Sequence, residues 1–243
     1  MMRSRTLVCV IVLSAALAAQ AQIEAVWLTH RSPTPDKTVV SWKSARPGPS
    51  QVCYGTDSSC PHEVRVAGEQ TIHHVEIPTP QRGTAIHYRV ATDGQRSETF
   101  AFQTCPEDGV RVAVVGDWAY ARRPNLTALK ADKPHLLMTA GDNVAQVVNP
   151  SQPGDTRYIQ PYLNLIRSEA ELFATTPFMP ITGNHDKQVG PRENKRPGTS
   201  TEVYDIAATA FRTVFALPDP GWRWAFTIPQ ADATFLALDL HHV

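Results

Sequence analysis

Apolar and polar residues alternate along the first part of this chain and segregate into runs along the rest. Between residues 22 and 104 the segments TVVSW, HHVEI, AIHYRVA and ETFAFQT read as short strands. In AIHYRVA, Ile86, Tyr88 and Val90 point to one face and His87 and Arg89 to the other, the period of two that marks a half-buried strand. RPGPS, PTPQRG and TDGQ punctuate these segments as turns. Short alternating strands at regular turn spacing predict an all-β sandwich of fibronectin or immunoglobulin type over residues 22–104. His73, His74 and His87 fall in these strands. Adjacent strand residues face opposite ways, so His73 and His74 are poor partners for one metal, and solvent-facing or edge positions are expected for them.

CPEDG, residues 105–109, reads as a linker, and the pattern changes after it. Near-continuous apolar runs predict strands at Val110–Val115, at His135–Ala140, over PFMPIT from Pro177 and over ATFLALDL from Ala233. Helical stretches separate them: Asn125–Ala131, a long helix over residues 156–174 with Pro161 early in it, and another over residues 201–217. Strands and helices in alternation predict an α/β domain over 110–243 whose sheet is covered on both faces.

The first 21 residues read as a leader. Arg3 and Arg5 precede an apolar stretch from Leu7 to Ala19, and Ala19-Gln20-Ala21 supplies the small-residue cleavage site of a secretory signal. The stretch falls short of the about 20 residues a membrane span needs. A cleaved, secreted or periplasmic chain is expected. The chain holds 23 basic and 23 acidic residues; losing Arg3 and Arg5 leaves 21 against 23, a net charge of −2. No basic stripe marks a nucleic-acid partner. Of the four cysteines, Cys9 departs with the leader, and Cys53 and Cys60 flank a turn-like YGTDSS that makes a disulfide between them plausible in an oxidising compartment. Cys105 is then odd.

The chemistry-bearing residues sit where apolar runs stop. VRVAVV ends in Gly116-Asp117, HLLMTA ends in Gly141-Asp142, and PFMPIT ends in Gly183-Asn184-His185-Asp186. In an open α/β sheet ligands bind beyond the carboxyl ends of the strands. Glycine permits the sharp turn there. Two carboxylates brought together repel unless a cation lies between them. Carboxylate, amide oxygen and imidazole together suit Mn, Fe or Zn. The plainer alternative, that Asp117 and Asp142 cap helices, fits either alone better than it fits three such endings in a row.

The blocks GDWAY, GDNVAQ and GNHDK, in this order, resemble those of the calcineurin-like metallophosphoesterases, and most closely the purple acid phosphatases, which carry a fibronectin-like domain ahead of the catalytic one. The resemblance implies an α/β/β/α sandwich and two metal ions. It implies that Asp117 binds the first ion, Asp142 bridges both, and Asn184 binds the second. It makes His185 the residue that faces the substrate and Asp186 the one that orients it. The implied activity is hydrolysis of phosphate esters by water activated between two cations.

The chain departs from that pattern. Purple members carry a Tyr where Ala145 stands, and many relatives carry a His where Ala119 stands. Tyr120 lies nearby, and both it and Trp118 also read as pocket-wall aromatics. The family's later ligands, a lone His and a Gly-His-x-His block, have no counterpart before Val243; His241 and His242 are adjacent and differently spaced. A catalytic domain incomplete at its C-terminus is expected. Arg122, Arg123 and Lys187 flank the motifs as candidate phosphate contacts or solvated charges, and His135 reads as structural. The leading expectation is an exported phosphoesterase. The rival is a non-catalytic extracellular binding protein with a degenerate or truncated phosphatase domain.

Overall fold

The computed structural model describes residues 23–120, 125–145, 147, 158–187, 209–219 and 223–238. The leader, Arg122, Arg123, His241 and His242 lie outside the described residues, as do the side chains of Tyr120 and Lys187.

The N-terminal part is one connected antiparallel sheet of six strands: β1 (Ile23–Thr29), β2 (Lys37–Gly55), β3 (His62–Pro78), β4 (Ala85–Thr92), β5 (Gln95–Arg96) and β6 (Phe100–Gln103). β2 pairs with β1 along its first half, as in Trp27 opposite Ser41, and with β4 along its second, as in Val52 opposite Val90. β3 follows β2 along both halves. RPGPS, expected to be a turn, lies inside β2, where the pairing shifts between Lys43 and Gly48 and again before Ser50. Pro47 and Pro49 have no amide hydrogen to give the ladder, so the strand bulges there and continues. TDGQ is a true hairpin: Asp93 and Gly94 both take left-handed φ, at 47° and 77°, which a tight two-residue turn of this sense requires. Trp42, Val52, Ile77, Ile86, Tyr88 and Val90 fill the core of this sheet, as the alternation in AIHYRVA predicts.

Two further expectations about this part fail. His73 is fully buried. It stacks on Trp42 at 4.5 Å, and its ring nitrogens lie 2.8 Å from the hydroxyls of Ser50 and Ser44. With both nitrogens partnered the ring is tolerated in the core, and burial pushes its pKa down to about 4, which keeps it neutral. Cys53 and Cys60 are free thiols, so the expected disulfide is not formed. Cys60 is buried in a left-handed conformation, while Cys53 lies beside Gln51 and Glu63.

The second part holds a parallel sheet in the order β7 (Val112–Val115), β8 (Leu136–Thr139), β9 (Phe178–Met179). α1 (Thr127–Asp132) joins β7 to β8. The single helix expected over 156–174 is two: α2 (Gln160–Ser168) and α3 (Ala170–Thr175), broken where Glu169 leaves helical geometry and pairs with Lys130 of α1 at 2.6 Å. Pro161 sits in the first turn of α2, where its missing N–H costs nothing. Residues 209–214 form α4, the described part of the helix expected over 201–217. β10 (Arg223–Ile228) and β11 (Ala233–Leu238) make an antiparallel pair. Val114 on β7 is 63% exposed, so among the described residues one face of that strand is open rather than covered.

The two parts share one core. Ala25, Trp27 and Cys105 join the cluster that holds Leu137, Phe173, Phe178 and Phe215. The Tyr88 hydroxyl donates to the Ala174 carbonyl at 2.7 Å, Arg167 pairs with Glu24, and His30 stacks on Phe226 at 4.8 Å. Cys105, at the start of the expected linker, is buried, and its carbonyl accepts from Gly83 at 3.1 Å.

Candidate active site

The three strand endings are tied to one another through the backbone. β7 and β8 each release the chain into a Gly-Asp pair, and in both pairs the Asp takes a left-handed φ, 53° for Asp117 and 54° for Asp142. A side-chain-bearing residue rarely holds that conformation, and it clusters at functional loops. The amide of Ala119 donates to the Asp142 carbonyl at 3.0 Å, which joins the first loop to the second. The second loop meets the third at two glycines. A Cβ on Gly141 would lie 2.7 Å from the Cα of Gly183, and one on Gly183 would lie 2.2 Å from both the amide nitrogen and Oδ1 of Asp142. Only glycine at both places lets the loops approach this far.

That approach sets Asp142 against the GNHD block. Asp142 Oδ1 accepts the backbone N–H of His185 at 2.9 Å. Asp142 therefore braces the short turn at His185–Lys187, 43 residues further on, rather than a helix of its own. The His185 side chain is held by a backbone group: Nδ1 lies 2.9 Å from the Ala145 carbonyl. A carbonyl only accepts, so Nδ1 carries the hydrogen.

Asp186 is buried and accepts on both oxygens. Oδ2 receives the Gly183 amide at 2.8 Å, the Asn143 amide at 3.2 Å and Asn143 Nδ2 at 3.0 Å; Oδ1 receives the Tyr162 hydroxyl at 3.2 Å. Burial pushes its pKa up to about 6 against the pull of those donors. Its carboxylate thus grips the loop backbone, and it acts on His185 through that loop. Asn143 completes the knot, donating to the Ile181 carbonyl at 2.8 Å and accepting from Thr139 at 2.5 Å. Sequence reasoning missed both Asn143 and Tyr162. Asn143 directly follows Gly141-Asp142 and was within reach of it; Tyr162 sits among apolar residues of α2 and looks like core.

An aromatic floor lies beneath. Trp118 stacks on Phe173 at 5.6 Å, Phe178 meets Phe173 and Phe215 edge-on, and Phe215 meets Tyr162 edge-on at 5.4 Å. Trp118 is therefore a buried support for the site. His135 is structural as expected: it is buried, and its Nδ1 accepts the Arg111 amide at 3.0 Å.

Asp117 is exposed, Asp142 is 9% exposed and Asn184 is half-buried. Neither Asp117, Asp142 nor Asp186 has an ion-pair partner among the described residues. Among those residues no three His, Cys, Asp or Glu side chains gather closely enough to hold an ion. The donor chemistry of Asp117, Asp142 and Asn184, two uncompensated carboxylates and an amide oxygen on adjoining loops, fits part of the shell of a hard or borderline cation.

Parallel strands here end in Gly-Asp, Gly-Asp and Gly-Asn-His-Asp at adjoining loops. Residues 110–225 match the family model of the calcineurin-like phosphoesterases, so this stretch of the chain is similar to a metallophosphoesterase domain. Two solved structures share the fold. One is PhoD, with 17% identity over 84% of this chain and 49% of that one, at a TM-score of 0.62. The other is a purple acid phosphatase isolated from yellow lupin (Lupinus luteus) seeds, with 14% identity over 84% of this chain and 42% of that one, at a TM-score of 0.60. The chain thus spans about half the length, 49% and 42%, of the solved structures it matches. No curated protein matches the sequence.

Proposed function

We propose that the protein is an exported phosphoesterase of purple-acid-phosphatase type, built from a fibronectin-like N-terminal domain and a metallophosphoesterase domain. Asp117 would hold one metal ion, Asp142 would lie between two, and Asn184 would hold the second; Fe, Mn or Zn suits these donors. Bound there, the cations would supply Lewis acidity, lowering the pKa of a water and neutralising phosphoryl charge. Asp142 would serve the site twice, with one oxygen committed to the His185 amide and the other left for a cation. His185, with Nδ1 fixed by Ala145, would present Nε2 to the phosphoryl group or the leaving oxygen and give up a proton as that oxygen departs. Asp186 would keep the Gly183–His185 backbone in register.

The observation that carries this reading is the contact between Gly141 and Gly183, beside which the bridging candidate Asp142 accepts the His185 amide at the head of the third loop. The alternative, a non-catalytic extracellular binding protein, is favoured by Ala119 and Ala145, which offer no side-chain ligand at two positions where relatives have one. Two variants separate the readings. Asp142→Asn should lower bound metal from two ions towards one or none and abolish hydrolysis of an aryl phosphate. His185→Asn should leave the metal content unchanged and cut turnover about 10²–10³-fold, the usual cost of losing one transition-state contact. A wild-type protein that binds no stoichiometric metal and hydrolyses no aryl phosphate at any pH would establish the binding-protein reading. Export is tested by N-terminal sequencing of secreted material, which should begin at Gln22.

A further inference from the structure

Two side chains of the N-terminal sheet reach the same helix end. Trp27 Nε1–H, from β1, donates to the Val214 carbonyl at 2.9 Å. His74 Nε2, from β3, lies 3.0 Å from the Thr213 carbonyl and must carry the hydrogen, since a carbonyl only accepts. Its Nδ1 then accepts from the Ser41 hydroxyl at 2.8 Å. The last carbonyls of a helix have no partner within it. Here the N-terminal sheet supplies donors to two consecutive ones, and so fixes where α4 ends.

That helix holds Tyr162. Phe211 and Phe215 meet the Tyr162 ring edge-on, with centroids 5.8 and 5.4 Å away. Tyr162 is fully buried, and its hydroxyl donates to Asp186 Oδ1 at 3.2 Å. The other oxygen of Asp186 gathers the amides of Gly183 and Asn143. His185, the next residue back along the chain, is held by Asp142 and by Ala145.

We infer that Tyr162 is a positioning residue for His185, and that the N-terminal sheet sets its place through the caps that Trp27 and His74 put on α4. The inference rests on the phosphoesterase reading of the site. The hydroxyl links the aromatic floor to the loop, reaching Asp186 Oδ1 and, at 3.4 Å, the Asp186 carbonyl. Removing it leaves the ring packing intact and takes one donor from a buried carboxylate, so the loop shifts while the fold stands.

Tyr162→Phe in the full chain tests this. His185 acts as the leaving oxygen departs, so its misplacement should weigh most on substrates with poor leaving groups. The turnover number on an alkyl phosphate should fall about 10–100-fold, the range usual for losing an outer support of a site. Turnover on an aryl phosphate with a good leaving group should fall far less, with KM unchanged on both. His74→Leu should reproduce the pattern, and His74→Gln, whose amide can still donate to the Thr213 carbonyl, should restore wild-type behaviour. A fall by the same factor on both substrates is the mark of a smaller folded fraction and would overturn the inference. Native-state hydrogen exchange gives a readout independent of turnover: the Gly183 and Asn143 amides should exchange faster in Tyr162→Phe and in His74→Leu, but not in His74→Gln. Unchanged exchange overturns the relay. An inactive wild type with the expected exchange pattern overturns the phosphoesterase reading and leaves the relay standing.

Discussion

Gly141 and Gly183 touch backbone to backbone: a Cβ on the first would sit 2.7 Å from the Cα of the second. This contact closes the gap between the loops after β8 and β9, and Asp142 meets His185 because of it. Gly183→Ala puts a methyl 2.2 Å from the Asp142 amide nitrogen, backbone that has no room to give. The loops must part, at a cost of about 1–3 kcal/mol as in other overpacked sites. Thermal unfolding should show the loss of stability, and aryl phosphatase activity should disappear with it. A variant of unchanged stability and activity would show that the loops close by another route.

Ala145 carries a spectroscopic prediction. It has no phenolate, and its carbonyl is committed to His185 Nδ1. Iron-loaded protein should therefore be colourless in the visible region where a tyrosinate-to-iron charge-transfer band would absorb. A purple preparation would mean that another tyrosine, with Tyr120, three residues after Asp117, the candidate, has taken that role.

Acid should weaken the fold through buried histidines. Burial holds the pKa of His30, His73 and His74 down at about 4. Each is neutral when folded and takes up a proton more readily when unfolded, near pH 6.5. The unfolded state then binds more protons, so stability is complete above about pH 6.5 and falls as the pH drops towards 4. Each histidine contributes a slope of about 1.4 kcal/mol per pH unit in that window. Urea titrations between pH 7 and 4 measure the slope. His30→Asn, whose amide can still donate to the Lys37 carbonyl, should flatten it; an unchanged slope would remove His30 from the account.

The shared core predicts that the second part does not fold alone. Trp27 and Ala25 from β1 pack with Phe173, Phe178 and Phe215, and the Tyr88 hydroxyl satisfies the Ala174 carbonyl. Residues 105–243 expressed without the sheet should expose that surface, bind a hydrophobic dye and lack a cooperative thermal transition. A soluble segment with a sharp transition would show that the two parts are independent.

Much of this was legible in the residues alone. Alternation in AIHYRVA placed Ile86, Tyr88 and Val90 inside, because a strand's side chains change face at every step. The apolar runs at 112–115 and 136–139 announced parallel strands, because such strands are apolar on both faces. Gly-Asp, Gly-Asp and Gly-Asn-His-Asp marked the loops that meet at the candidate site, because short-range chain geometry demands glycine where a strand ends in a sharp turn.

Tertiary structure decided what depends on partners distant in sequence. His73 went into the core because Ser44 and Ser50, 29 and 23 residues away, satisfy its ring nitrogens. Pro47 and Pro49 became a bulge instead of a turn because β3 pairs with β2 on both sides of them. The first strand met the second part because Trp27, 187 residues before Val214, finds the carbonyl that α4 leaves unpaired. Tyr162 was indistinguishable from a core aromatic until the fold placed its hydroxyl on Asp186. Local pattern records which face of an element is apolar. It does not record which distant donor meets which orphan acceptor, and in this protein those meetings build the site.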